Sequence, residues 1–93
     1  MVIGLLRLDL FLPDTHSLKQ KRSLIRPVME RIRREWNVSV TEVDHQDSWQ
    51  RTTLAVANVN TETAEAERTL GHIARSIEGN PDIQLLDFSV EIR

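Results

Sequence analysis

Along the first dozen residues, large side chains fall in two interleaved sets. Val2, Leu6, Leu8, Leu10 and Leu12 share one phase with Gly4, and Ile3, Leu5, Arg7, Asp9 and Phe11 share the other. A period of two with one strongly apolar face predicts a β-strand. Pro13 and Asp14 end it. Ser17 followed three residues later by Gln20 matches a capping box. Leu18, Ile25, Val28, Met29, Ile32 and Trp36 then recur at helical spacing. Pro27 lies inside that pattern and lacks a backbone N–H, which predicts a kink, or a short first turn with the helix restarting near Ser23.

Residues 38–44 and 51–59 are rich in Val, Thr and Leu and read as the arms of a hairpin. Asn60 and Thr61 offer N-caps for a second helix, with Glu62, Glu65 and Glu67 favourably near its N-terminus. Its buried stripe is Ala66, Leu70, Ile73, Ala74 and Ile77, and Gly79, Asn80 and Pro81 stop it. Leu86, Phe88, Val90 and Ile92, alternating with Asp87, Ser89 and Glu91, make a last strand. The order βαββαβ predicts an α+β, ferredoxin-like split βαβ sandwich. Two helices cover one face of a four-stranded antiparallel sheet with spatial order 4-1-3-2. Residues 1–93 form a single domain, with no linker or low-complexity segment.

This topology brings separate stretches of sequence to one end of the sheet: the first loop at 13–17, the start of the first helix, residues 44–50 and the turn at 79–82. The opposite face of the sheet is expected to carry Ile3, Leu5 and Phe11 beside Arg7, Asp9, Asp87 and Glu91. Three large apolar groups on an uncovered face favour a homodimer through the open sheet face.

Composition narrows the chemistry. Apolar content of 40% and charged content of 28% are those of an ordinary globular domain. No run approaches the ~20 apolar residues of a membrane span. Arg7 and Asp9 interrupt the apolar N-terminus and no small-residue cleavage site follows, so no membrane association and a cytoplasmic location are expected. Without cysteine there are no disulfides, thiolate zinc sites or thiol nucleophiles. No metal or cofactor is expected. The net charge of −2 hides an asymmetry: residues 17–36 hold seven cations and two glutamates, a segment of +5, which leaves −7 for the remainder. Segregated charge creates a local field even in an acidic protein.

The densest polar stretch is EVDHQDSWQR, residues 42–51, between two strand-like runs. It carries far more polar side chains than a turn requires and contains no Gly or Pro. Strand one running into LPDTHSLKQKRS, followed by RIRREWNVSVTEVDHQDSWQRTTLAVA, resembles the YlxP-like family of small bacterial proteins over nearly the whole chain. The stretches SLK-x-KR and NVSV-x-EVDHQD-x-WQR are specific to that family. The resemblance implies the ferredoxin-like fold and supplies no catalytic residues. Family members are often encoded beside translation initiation and ribosome maturation factors, which implies an RNA or ribosome setting.

Three functions are compatible with these residues. The first is non-catalytic binding of RNA or a ribosome-associated partner. Lys19, Lys21 and Arg22 at a helix N-terminus would hold phosphate, while Trp49 stacks, Arg51 adds a phosphate contact and His45 with Asp47 and Gln50 fixes the loop or reads base edges. His16, Asp44, His45 and Asp47 are further loop or partner contacts. The second is a metal-dependent or acid–base enzyme using Asp44, His45 and Asp47, with His16 from the adjacent loop. The third is a purely structural homo-oligomeric module. Strand three, RTTLAVANV, has none of the aromatics that an RRM displays, and the acylphosphatase and Cys-x-x-Cys signatures of this fold are absent.

Overall fold

The alternating N-terminal decade forms β1 (Val2–Phe11), an inner strand of the sheet, with Leu6, Leu8 and Leu10 buried on one side. The computed structural model describes residues 1–93 and continues with α1 (Leu18–Glu35), β2 (Ser39–Asp44), β3 (Arg51–Asn60), α2 (Thr63–Glu78) and β4 (Gln84–Ile92). Strand order is β2-β3-β1-β4, antiparallel throughout. This is the expected ferredoxin-like α+β arrangement.

Local chemistry explains most of the boundaries. Ser17 caps α1, its hydroxyl accepting from the Gln20 amide at 3.1 Å, while Gln20 Oε1 accepts from the His16 amide at 2.7 Å. α1 runs as one helix from Leu18 through Pro27, without the short first turn and restart near Ser23 that the proline also predicted. Proline removes only the bond to the Ser23 carbonyl, and both residues lie on the exposed side, where solvent serves that group. Ile25, Val28 and Ile32, buried on either side of Pro27, hold the helix to the sheet. At α2 the expected caps are displaced by one or two residues. Glu62 occupies the N-cap without a side-chain bond, and Asn60 Oδ1 instead accepts from the amides of Thr61 (2.7 Å) and Glu62 (3.2 Å).

The core lies between the helices and one face of the sheet: Leu6, Leu8, Leu10 and Leu12, Ile25, Val28 and Ile32, Val40, Leu54 and Val56, then Leu70, Ile73, Ala74, Ile77 and Ile83. The helices do not reach the whole sheet. In the β1–β4 register Phe88 lies opposite Leu8 and Val90 opposite Leu6, so both point to the helical side. They nevertheless stay 46% and 38% exposed. On the open face, Ile3 is 37% exposed, and an Arg7–Asp9–Asp44 group of ion pairs at 3.8 Å lies beyond it.

Gly4 allows α2 to approach β1 closely. A Cβ there would stand 2.8 Å from Leu70 Cδ1 and 3.4 Å from Ala66 Cβ, and both of those residues are fully buried. Gly4→Ala is therefore expected to destabilise the fold by roughly 1–3 kcal/mol through overpacking, measured by urea unfolding. A neutral or stabilising result would show that α2 sits less tightly on β1.

Candidate functional site

The expected neighbours meet at one end of the sheet, held by hydrogen bonds between the β1–α1 loop and the β2–β3 hairpin. The Leu12 amide donates to the Gln50 carbonyl at 2.8 Å. The buried Thr15 hydroxyl lies 2.6 Å from the Trp49 carbonyl and 2.9 Å from that of Leu12. Gln50 Nε2 donates back to the carbonyls of Pro13 (3.1 Å) and Thr15 (3.4 Å). Asp82, from the turn after α2, lines a groove with Asp14, Thr15, Gln20, Ser23 and Leu24. Gln50 thus spends its amide on the protein backbone and fixes the loop.

Lys21 is the centre of this junction. Its residue surface is 1% exposed, and Nζ lies 2.8 Å from Glu42 Oε2 and 2.6 Å from the His45 carbonyl. Glu42 Oε2 also accepts from Thr52 Oγ1 at 2.6 Å. One ammonium therefore ties the first turn of α1 to β2 and to the tip of the hairpin. The sequence reading put Lys21 among the phosphate contacts; in the structure its charge is already neutralised and shielded from solvent. The spacing contained the signal, since Lys21 precedes Ile25 by four residues and Val28 by seven, on the buried stripe. Glu42 is in phase with the buried Val40, so the complementary charge was legible as well.

His45 has φ +60°, the left-handed region that non-glycine residues enter at a cost of about 1 kcal/mol. The turn is held by the Ser48 amide donating to the His45 carbonyl at 3.0 Å, while the His45 amide donates to Asp44 Oδ1 at 2.7 Å. Asp44 Oδ2 lies 3.8 Å from Arg7 Nη2, on the open face. No three His, Asp or Glu side chains anywhere in the fold converge as metal ligands, so His16, Asp44, His45 and Asp47 do not assemble the divalent-metal set weighed from the sequence.

The remaining candidates divide by face. Lys19 and Arg22 flank Lys21 on the exposed side of α1, where they line a surface groove with Ser23, Arg26, Pro27 and Glu30. Arg26 belongs with them, although the sequence reading did not select it; the helical interval 19, 22, 26 was the available signal. Trp49 stands 54% exposed beside a shallow cleft formed with Asp47, Ser48 and Gln50. His16 is exposed. Arg51 is not part of that cluster. It pairs in register with Phe11, which turns its side chain to the open face, and its Nε is buried without a partner.

This geometry belongs to a ferredoxin-like fold with a polar end, and the comparisons give the chain a family. Residues 3–90 match the family model described as a protein of unknown function, DUF503, and the chain belongs to this family. It is similar to the uncharacterized protein YlxP of Bacillus subtilis (strain 168), with 31% identity over 83 residues, covering 89% of this chain and 90% of the relative. Among solved structures, the de novo designed protein Foldit4 superposes with a TM-score of 0.53 at 20% identity, over 100% of this chain and 94% of that one, a likeness of fold alone. A REP-associated tyrosine transposase bound to a REP hairpin aligns at 0.46 and 9% identity, over 98% of this chain and 55% of that one, too distant to bear on the site. No helix is long and apolar enough to cross a membrane.

The junction yields a direct expectation. Lys21→Met leaves Glu42 and the His45 carbonyl without their cation and is expected to cost about 3 kcal/mol in urea unfolding. Adding Glu42→Leu, which removes the orphaned charge, should recover a substantial part. A single variant as stable as wild type would remove Lys21 from its central position.

Proposed function

We propose that this chain is a non-catalytic binding module that recognises RNA, or an RNA-containing surface of the ribosome, through the end of the sheet where α1 meets the β2–β3 hairpin. The observation that carries this reading is Trp49. A half-exposed indole is held on a hairpin whose adjoining carbonyls are bonded to the neighbouring loop. A backbone fixed in advance spares much of the ordering entropy of binding, so stacking of a base on Trp49 would contribute affinity efficiently. Lys19, Arg22 and Arg26 form a positive stripe along α1, and the Lys21 bridge to His45 keeps the start of that helix against the hairpin. His45 and Asp47 remain at the tip as polar contacts. His45 holds a left-handed backbone that a glycine would adopt without strain, and in this reading its imidazole is one of the contacts that offsets that cost. The gene neighbourhood implied by the family resemblance supports the same class of partner, in a cytoplasmic setting. The module acts as a homodimer in this reading, and its uncovered apolar side chains supply the reason.

Titration with single-stranded and structured RNA, read by Trp fluorescence and repeated across salt concentrations, tests the proposal. Binding should weaken by about 0.7 log units per tenfold salt for each phosphate contacted on a single strand. A Lys19→Ala, Arg22→Ala, Arg26→Ala variant should lose most affinity, and Trp49→Ala should cost roughly 1–3 kcal/mol. Absence of binding by the wild type at about 50 mM salt would contradict the reading.

A further inference from the structure

β4 is an edge strand nine residues long, and its outer backbone groups and its uncovered side chains belong to the same residues. Ile3 and Arg93 exchange both backbone hydrogen bonds at 2.8 Å, which marks them as a hydrogen-bonded pair of the antiparallel ladder. Alternation then turns the backbone groups of Glu91, Ser89 and Asp87 toward β1 and those of Phe88, Val90 and Ile92 outward. The Phe88 amide has only a local acceptor, the Asp87 carboxylate at 2.9 Å, a substitute that edge residues adopt when no strand lies beside them. Phe88 and Val90 are also the large apolar side chains left exposed at the rim of the core, with Leu86 at the adjoining bulge.

The opposite edge is treated differently. β2 has six residues, its ladder is interrupted by a register shift after Glu42, and Arg33 Nη2 donates to the Val40 carbonyl at 2.7 Å. Short length, irregularity and a covering cation are the devices by which sheets close an edge against pairing. None of the three acts along residues 87–93, a regular stretch.

We propose that β4 pairs antiparallel with β4 of a second copy of this chain, about a two-fold axis at Val90, giving a continuous eight-stranded sheet. The segment DFSVEIR at 87–93 is complementary to itself in this register. Val90 meets Val90, Phe88 meets Ile92, Ser89 meets Glu91, and Asp87 meets Arg93, so each end carries an opposite-charge pair and no like charges face each other. Centring the axis on Phe88 instead would set Glu91 against Leu85 and Ile92 against Gln84, and would draw the bulge at Leu86 into the interface. The Val90 register gives about six backbone hydrogen bonds. It covers Phe88, Val90 and Ile92 on the helical side and releases Asp87 from the Phe88 amide to meet Arg93, which in the single chain pairs with Glu91 at 3.0 Å. This rests on the homodimer of the proposed function but moves it from the open face to the edge. Dimerising through the open face would desolvate the Arg7–Asp9–Asp44 ion pairs, whereas the edge buries apolar groups and unpaired amides.

Sedimentation equilibrium from about 1 to about 100 µM, with circular dichroism to verify the fold, tests it. The wild type should reach twice its chain mass. Val90→Pro, which removes an outward amide that the single chain does not use in its ladder, should be monomeric throughout. Asp87→Arg should weaken the dimer about tenfold by facing Arg93 with a like charge, and Asp87→Arg with Arg93→Asp should restore it. A monomeric wild type would overturn the dimer altogether. A dimer indifferent to both Val90→Pro and the charge exchange would overturn the β4 interface while leaving self-association standing. Restoration failing in the double variant would overturn the register.

Discussion

The hairpin end of this protein depends on one buried ammonium. Lys21 extends from the inner side of α1 to Glu42 on β2 and to the backbone of His45, and it is the one fully buried charged side chain of the fold. Buried ion pairs contribute little net stability compared with apolar packing, but losing one partner is costly. The consequence is a fixed relation between the helix start and the hairpin tip. Thr15 and Gln50 extend that relation through the carbonyls of Trp49, Pro13 and Thr15. The loops at this end are therefore anchored to one another, and the indole of Trp49 projects from a supported backbone.

The same geometry assigns separate tasks to the polar residues of the hairpin. Glu42, Thr52 and Gln50 face inward or backward and build the loop. Asp44 and Arg51 turn to the open face, where Arg7 and Asp9 already form ion pairs. Asp47 and Trp49 remain exposed at the tip. A stretch that reads as uniformly polar is divided by strand phase into structural and available groups.

That division explains what the sequence could and could not disclose. The elements and their order were legible because period-two and helical patterns are strong signals in β1, α1 and α2. The juxtaposition of the first loop, helix start and hairpin followed from topology alone. Lys21 was also legible, on the apolar phase of its helix, yet a basic cluster in sequence suggested a shared surface. Thr15 was not, because a bond from a loop side chain to a distant carbonyl follows no period; Gln50 was legible as a loop-fixing residue, but its acceptors, the carbonyls of Pro13 and Thr15, were not. Pro27 does not interrupt α1, because the cost of one absent hydrogen bond on an exposed face is outweighed by the burial of Ile25, Val28 and Ile32 around it. The rim residues Phe88 and Val90 have the right strand phase for the core, and only the reach of the helices determines that they stay uncovered.

The measurement that bears most directly on a supported contact surface at this end is a residue-resolved NMR titration of the isotopically labelled protein with a short single-stranded RNA. Recognition through the α1–hairpin end gives shifts confined to Lys19, Arg22, Arg26 and the segment 45–50, with the Trp49 indole N–H moving most. Shifts that are absent at millimolar RNA, or that gather on α2 or the open sheet face, contradict the account.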